Sequence, residues 1–510
     1  MTTAQALAAP IVRTRRMVWA AGRVAASGAA LGLLGQLLFV GVAPGINLII
    51  AVAAVLAAAW RLRPRGLPLR MTDALLPTAT LLYAGFVALR DDPTLVALDI
   101  IAVLVLTAAS LAAIGGAAVV TRPLLAVGDI AARLAVWTGV GAAWVLLDAG
   151  PAAPSLDRFR RRIGGAGPVL RGLAIALPLA LVFIGLFAAA DAVFAELVNN
   201  LFDWDLDLAD VPGRVVVAAV IGWLAAGALA FVATPGEERI GPAPRLRWLG
   251  TTEALTILIV IDLTFAAFVA LQLAYLFGGL DTLQATGMTY SEYARRGFFE
   301  LIAVAVLAGG LLLALETFVK ARPREYVGAA IALAGLSSVV LASATLRMRL
   351  YQEAYGWTEL RFYALAVIGW LAIGVVLAAM ALATNRSRWL PHALAVAGLA
   401  VGIAVNVIGP VRFVADQNVA RLANPALVPA FGSTGLDTIY AADLGDDAVP
   451  ALVRALPYLP RDERDYLRDV LSGRLVGLRV RDDLNAWQAW NLSRATARAA
   501  LERALGGLEP

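Results

Sequence analysis

The chain has 510 residues, 60% of them apolar and only 15% charged, with a formal net charge of +5. A soluble protein carries about 25% charged residues, and it could not enclose the long apolar runs that recur here from Ser27 to Ile408. There is no cysteine and a single histidine, His392. This excludes disulfides, thiolate metal sites and cysteine nucleophiles, and disfavours histidine metal centres and Ser-His-Asp triads; no metal and no cofactor is expected.

At the N-terminus, Arg13, Arg15, Arg16 and Arg23 precede the first apolar run. The pattern is that of a signal peptide, but no small-residue cleavage site follows and Ala43-Pro44-Gly45 leads straight into another span, so the segment reads as a retained anchor. The expected spans are Ser27–Val42, Ile46–Trp60, Met71–Leu89, Thr94–Val119, Gly172–Ala190, Val215–Ala233, Leu255–Phe277, Gly297–Val319, Val327–Leu346, Leu360–Thr384 and Pro391–Ile408. A crossing helix needs roughly 20 apolar residues, and helix is the only option for continuous runs because hydrocarbon cannot satisfy backbone polar groups. The fold class is therefore all-α: a polytopic transmembrane bundle of about eleven spans with a small helical extracytoplasmic C-terminal domain.

Counting arginine and lysine in the connecting loops fixes the orientation. With the N-terminus inside, the inner loops hold 23 and the outer loops 7, the bias expected for cytoplasmic loops. The arginines are thus explained by the membrane and do not point to nucleic acid. Pro123–Leu147 is apolar enough to be a twelfth span, but Asp129 and Arg133 interrupt it, and a crossing would put Arg158, Arg160, Arg161 and Arg162 outside. It reads as an interfacial or re-entrant helix on the inner side.

Three regions follow: a cytoplasmic segment over 1–26, a transmembrane domain over 27–411 and a soluble, mostly helical domain over 412–510 on the outer side. The last carries 12 arginines and 13 acids. Asp447–Leu456, Arg461–Leu471 and Ala486–Leu505 read as helices, with Asp446 as a cap for the first. Trp487 and Trp490, three apart, are expected to pack the last helix onto its neighbours, with a membrane-interface role as the alternative.

Asp262 is the intramembrane acid of the sequence, set in the middle of its span, where a charge costs roughly 2.5–3.5 kcal/mol. It reads either as a proton or ligand site or as a neutral acid bonded to another helix. Asp99 lies close enough to a span end to reach the interface, and Glu316 has Lys320 one turn on, a favourable helical pair. Two outer segments are densest in chemistry. In the first, Tyr290, Tyr293, Gly297 and Glu300 share a helix face beside Arg295 and Arg296. In the second, Arg347, Tyr351 and Tyr355 share a face, with Arg349, Glu353, Glu359 and Arg361 nearby. An aromatic belt explains tyrosine at an interface, but not why five of the seven outer arginines gather there. The candidate ligand site is therefore Tyr290, Tyr293, Arg295, Arg296, Glu300, Arg347, Arg349, Tyr351, Tyr355, Glu359 and Arg361. The acidic run Asp203-Trp204-Asp205-Leu206-Asp207 lacks the glycine and glutamate of a calcium loop, with Leu208 and Arg214 in their places.

These strings carry a resemblance. Thr289–Leu301 (Thr-Tyr-Ser-Glu-Tyr-Ala-Arg-Arg-Gly-Phe-Phe-Glu-Leu), Leu346–Tyr351 (Leu-Arg-Met-Arg-Leu-Tyr) and Thr358–Tyr363 (Thr-Glu-Leu-Arg-Phe-Tyr) resemble a bacterial multi-pass membrane family, domain of unknown function 4173. Asp446–Leu452 and Trp490–Arg494 look similar to it in the tail, while Gly409-Pro410 stands where family members tend to have Asn-Pro. The resemblance implies a membrane architecture in a bacterial cytoplasmic membrane and no particular activity.

Three functions fit this pattern. One is outer-face binding or transport of a small anionic or lipidic ligand. Another is a non-catalytic scaffold or signalling component with an envelope protein partner. The third is a lipid-linked transferase, disfavoured because the first outer loop, Ala43-Pro44-Gly45, has no acid and no nucleotide loop appears. Beyond the lipid bilayer, the expected partner is an unknown small molecule or lipid, and the first reading is preferred.

Overall fold

A computed structural model describes residues 3–505 except 68–69, 121, 123, 150–209, 235–248, 278–297, 385–388 and 430–431. The expected span Gly172–Ala190 and the acidic run at Asp203–Asp207 lie outside the described residues. Among the described residues regular structure is helical, apart from one bridge between Leu249 and Val319. Nine described helices are long and apolar enough to cross a membrane, and Ile46–Leu62 is apolar but shorter. The protein is a multi-pass membrane protein.

The chain forms two compact units, the first comprising Met1–Leu89, Val96–Ile240 and Val480–Asn491, the second Arg90–Leu95, Gly241–Arg479 and Leu492–Pro510. The first contains α1 (Thr3–Phe39), α2 (Ile46–Leu62), α3 (Met71–Leu89), α4 (Pro93–Ile114, from Val96 on), α5 (Leu124–Ala149) and α6 (Asp210–Ala233). Small residues set the packing of α1 on α6. Gly28 and Gly32 face Ala218, Gly222 and Ala226, and a Cβ on Gly28 would sit 2.6 Å from the Ala226 side chain. Spacing of four between small residues lets membrane helices approach closely, where dispersion replaces the hydrophobic effect as the driving force.

Helix α5, the segment expected to be interfacial or re-entrant over Pro123–Leu147, is not among the nine helices long and apolar enough to cross. Ile130 shares a buried cluster with Ala112 and Ala113, against which Phe231 packs partly buried. Further along, Trp137 and Gly141 meet Gly227, and the Trp223 indole N–H donates to the Gly139 carbonyl at 2.7 Å. The helix therefore runs antiparallel along α6. Asp129 and Arg133, one turn apart near its start, form an ion pair at 2.7 Å. Asp99 departs from expectation. It is buried at 1% exposure among the helices instead of reaching an interface.

The tail's Val480–Asn491 belongs to this unit. Asp483 and Trp490 carbonyls accept from Ala43 and Ile46 N–H at 3.0 Å each, Gln488 donates to the Leu37 carbonyl and Asn491 to the Val87 carbonyl. These bonds seat the segment where α1 and α3 end and α2 begins. Trp487 and Trp490 stay 61% and 48% exposed, contrary to the packing expected of them. Residues Trp487–Ala489 form a 3-10 turn before the last helix, so the expected helical face never forms.

In the second unit, α9 (Arg324–Tyr355) is flanked by α7 (Thr251–Phe277), α8 (Phe298–Phe318) and α10 (Glu359–Ala383), with α11 (Leu390–Ile408) against α10. Leu258, Leu315, Leu333 and Tyr326 are fully or nearly fully buried where they meet. Glu316 does not pair with Lys320, because α8 ends at Phe318 and the helical spacing is lost. Its partners are Arg322 at 2.7 Å and the Tyr326 hydroxyl at 3.1 Å. The tail adds α12 (Pro410–Ala423), α13 (Thr438–Asp443), α14 (Val449–Ala455), α15 (Arg461–Val480), α16 (Asp482–Asn485, in the first unit) and α17 (Leu492–Leu505). Asp446 does not cap a helix as expected; it opens the 3-10 turn Asp446–Ala448 ahead of α14, whose N-cap is Ala448, and the Asp446 carboxylate turns to Arg474 at 3.7 Å.

Candidate functional site

The site is built on the turn between α9 and α10. Helix α9 runs to Tyr355, well past the Leu346 expected, and so carries Arg347, Tyr351 and Tyr355 on one helical face. It ends because Gly356 adopts φ +78° with ψ −169°, a conformation open essentially to glycine. Thr358 then caps α10 through its hydroxyl. From the tail, Asn418 of α12 clamps this turn. Its Oδ1 accepts from the Trp357 N–H and its Nδ2 donates to the Trp357 carbonyl, both at 2.8 Å. The Trp357 and Phe362 rings pack on Phe413 at 4.9 and 5.5 Å between centroids.

Around this frame the structure assembles part of the expected cluster. The Arg361 guanidinium lies over the Tyr351 ring at 4.1 Å and donates to the Gly356 carbonyl; Tyr351 in turn packs on Tyr355 at 5.1 Å. Cation–π contact of this kind holds a guanidinium without neutralising it. Arg421 donates to the carbonyls of Glu353, Ala354 and Ser433. Burial, reinforced by the neighbouring Arg361 charge, lowers the hold of Arg421 on its proton. Among the described residues neither Arg361 nor Arg421 pairs with a carboxylate. The Glu359 N–H donates to the Tyr440 hydroxyl at 2.9 Å. Burial pushes that hydroxyl up to about 12 against the opposing N–H donation, with the Glu359 charge adding to the rise, so Tyr440 stays neutral.

Other expected members are placed differently. Arg347 is half-buried, while Arg349, two residues on, is exposed on another face of α9. Glu300 is exposed in the first turn of α8. Tyr290, Tyr293, Arg295 and Arg296 lie outside the described residues. Asp262 sits half-buried in α7, and its Oδ1 has no hydrogen-bond partner.

A second charged cluster in the same unit escaped the sequence reading. Arg494 meets Asp91 at 2.6 Å, Arg90 meets Asp447 at 3.5 Å, and Asp447 also accepts from the Asp91 N–H at 3.0 Å. Arg90 donates to the Asn406 and Val407 carbonyls as well, at 2.9 and 3.1 Å, where a cation complements the end of α11. Its guanidinium fills the space against Gly409, which has φ +72°. Asp92 accepts from the Tyr363 hydroxyl at 2.6 Å and caps α4 through Thr94 and Leu95. Burial raises the Asp91 carboxyl to about 6, with Arg494 opposing and Asp446 adding. Burial likewise raises Asp446, opposed by Arg474 and by its hydrogen bond with Asp91. Among the described residues no group of His, Cys, Asp or Glu has the arrangement to hold a metal ion.

The family model for a domain of unknown function, DUF4153, matches residues 77–455. The chain belongs to the DUF4153 family. The number differs from the 4173 to which the sequence strings point, so that closer resemblance is not shown. The match runs from α3 to the end of α14 and includes the α9–α10 turn, Arg421 and Tyr440. No curated protein and no solved structure matches the chain. The family supplies no activity, and chemistry must be argued from the site.

Proposed function

We propose that this membrane protein binds a small anionic group, free or at the head of a lipid, at the α9–α10 turn on its outer face, as a receptor or transporter. The observation that carries the reading is the pair Arg361 and Arg421. They are close enough to influence one another, both are half-buried, and their acceptors are carbonyls and a ring face. Two unneutralised guanidiniums side by side gain from an anion between them, and their planar forks suit phosphate or carboxylate. Tyr351 and Tyr355 offer hydroxyls beside them. In this reading Arg295 and Arg296 complete the site, and Asp262 supplies a proton step if the ligand is moved. The direct test is equilibrium binding of radiolabelled inorganic phosphate and of a short-chain phosphatidate to the purified protein. We expect saturable binding of at least one, reduced tenfold or more by Arg361→Gln with Arg421→Gln and severalfold by Tyr351→Phe. Binding of neither anion, or binding indifferent to all three changes, overturns the proposal.

The same reading places the N-terminus in the cytoplasm and the tail outside a bacterial cytoplasmic membrane, from the 23-to-7 loop count. It keeps α5 on the inner side as an interfacial or re-entrant helix, because a crossing would put Arg158, Arg160, Arg161 and Arg162 outside. Alkaline phosphatase fused after Pro510 is then active. Single cysteines at Asp148 and Pro154 stay unlabelled by an impermeant maleimide in intact cells. Labelling from outside would make α5 a true span and revise the orientation of everything beyond it.

A further inference from the structure

A second site lies inside the membrane, away from the charged turn. Helices α8 and α10 both pack on α9 but touch each other little, and between them a cavity of about 250 Å³ remains. Its floor is one face of α9, formed by Ala334, Ser337 and Leu341. The Trp370 ring of α10 forms one wall, and Gly309 and Gly310 of α8 lie at the other. A Cβ added to either glycine would meet nothing within 4 Å, and both are exposed. In a spanning helix an exposed residue faces lipid, so the cavity opens sideways into the bilayer at these glycines.

One feature of the lining has no structural explanation. Ser337 is 2% exposed, its hydroxyl makes no hydrogen bond, and it lines the cavity. Neighbouring hydroxyls on the same helix bond back to the carbonyl one turn before, as Ser338 does to Ala334 at 3.0 Å and Thr345 to Leu341 at 2.8 Å. A buried polar group left unmade is costly, so an acceptor in the cavity would relieve it. The depth restricts what that acceptor belongs to. Ser337 lies 13 residues beyond Arg324, roughly 20 Å along α9 at 1.5 Å per residue, close to the middle of a hydrocarbon core about 30 Å thick. Ester carbonyls of phospholipids sit at the core boundary and do not reach this depth. The Trp370 N–H is already spent on the Leu394 carbonyl at 3.1 Å, so the indole offers a flat apolar face. A cavity of about 150 Å³ accommodates benzene, and this one is larger.

We propose that the cavity binds the carbonyl-bearing ring of a prenyl quinone, with Ser337 donating to a ring carbonyl, Trp370 against the ring and the isoprenoid tail leaving past Gly309 and Gly310. The site is separate from the anion-binding turn, and neither proposal depends on the other. The test uses the purified full-length protein in phosphatidylglycerol nanodiscs, titrated with decylubiquinone and followed by quenching of tryptophan fluorescence against an empty-nanodisc control. Saturable quenching is expected, with affinity reduced about fivefold to tenfold in Ser337→Ala and lost in Ser337→Leu, whose side chain fills the floor. Trp370→Phe, which reduces the wall against the ring, should lower both the quenching amplitude and the affinity. Each variant is first shown to keep its elution volume and melting temperature; if Ser337→Leu does not, Ala334→Leu replaces it. Absence of saturable quenching overturns the proposal, as does equal affinity in wild type and both Ser337 variants. So does mass spectrometry showing only phospholipid retained by the protein.

Discussion

The second unit carries two clusters of arginine, and they differ in what faces the charge. Arg494, Arg90 and Arg474 each meet an aspartate, at 2.6, 3.5 and 3.7 Å, and their side chains are only 10%, 16% and 21% exposed. Arg361 and Arg421 rest on carbonyls and a tyrosine ring and keep their charge. The first arrangement is closed: it joins the loop Arg90–Leu95 to the tail and has no charge left over. The second has the same residue type on a similarly rigid frame, but leaves its charge for something else. Buried ion pairs are costly to break and add little net stability, which suits a latch, whereas unpaired guanidiniums on a clamped turn suit recognition.

Breaking the closed cluster should have the largest effect. Arg494→Met leaves Asp91 beside Asp446 and Asp447 without its counter-charge. Removing one partner of a buried pair costs 3–5 kcal/mol, and about 3 kcal/mol is expected here because Asp91 keeps some exposure. The measurements are a lowered melting temperature and faster trypsin cleavage of the tail, with phosphate binding retained at a lower temperature. Gly356→Ala comes next. Its backbone, at φ +78° and ψ −169°, lies in a region open essentially to glycine that costs an alanine on the order of 1–3 kcal/mol, and its Cβ would sit 2.7 Å from the Asn418 Oδ1. This change should loosen the clamp and weaken anion binding more than it lowers the melting temperature, the reverse of Arg494→Met.

A smaller effect follows from pH. Because burial holds the Asp91 carboxyl at about 6 against an ordinary 3.8, the folded cluster binds a proton better than the unfolded chain. Its contribution is full below the ordinary value and is lost as pH rises through about 6, so stability should increase on acidification from pH 7 to pH 5. The facing groups are Arg494, which opposes the shift, and Asp446 and Asp447, which add to it. A gain on the order of 1 kcal/mol is expected in a melting series. Asp91→Asn, which fixes the neutral form, should flatten it.

Much of this was legible in the sequence because membrane helices announce themselves by unbroken apolar runs. The ten expected spans that fall on described residues are all helices there. The shared face of Arg347, Tyr351 and Tyr355 was readable from spacing alone. What failed did so for local physical reasons. Lys320 looked like the partner of Glu316 only on the assumption that α8 continued past Phe318. Asn418, Arg421 and Tyr440 were missed because they reach the turn from 61 to 81 residues away, as the separations of the Trp357–Asn418 and Glu359–Tyr440 bonds show, and no periodicity links residues so distant. Asp446, Asp447 and Arg494 stood in strings already singled out for resemblance, yet their partners Asp91 and Arg90 lie in a short loop that drew no notice.

The contrast between the two clusters can be read in one experiment. Phenylglyoxal modifies free guanidiniums, and mass spectrometry locates the products residue by residue. In the purified protein without phosphate, Arg361 and Arg421 should be modified, while Arg90, Arg474 and Arg494 should not. Adding phosphate at constant ionic strength should protect Arg361 and Arg421 and leave the other three unchanged. If Arg361 and Arg421 are as unreactive as Arg494, or react equally with and without phosphate, the turn between α9 and α10 is not an anion site.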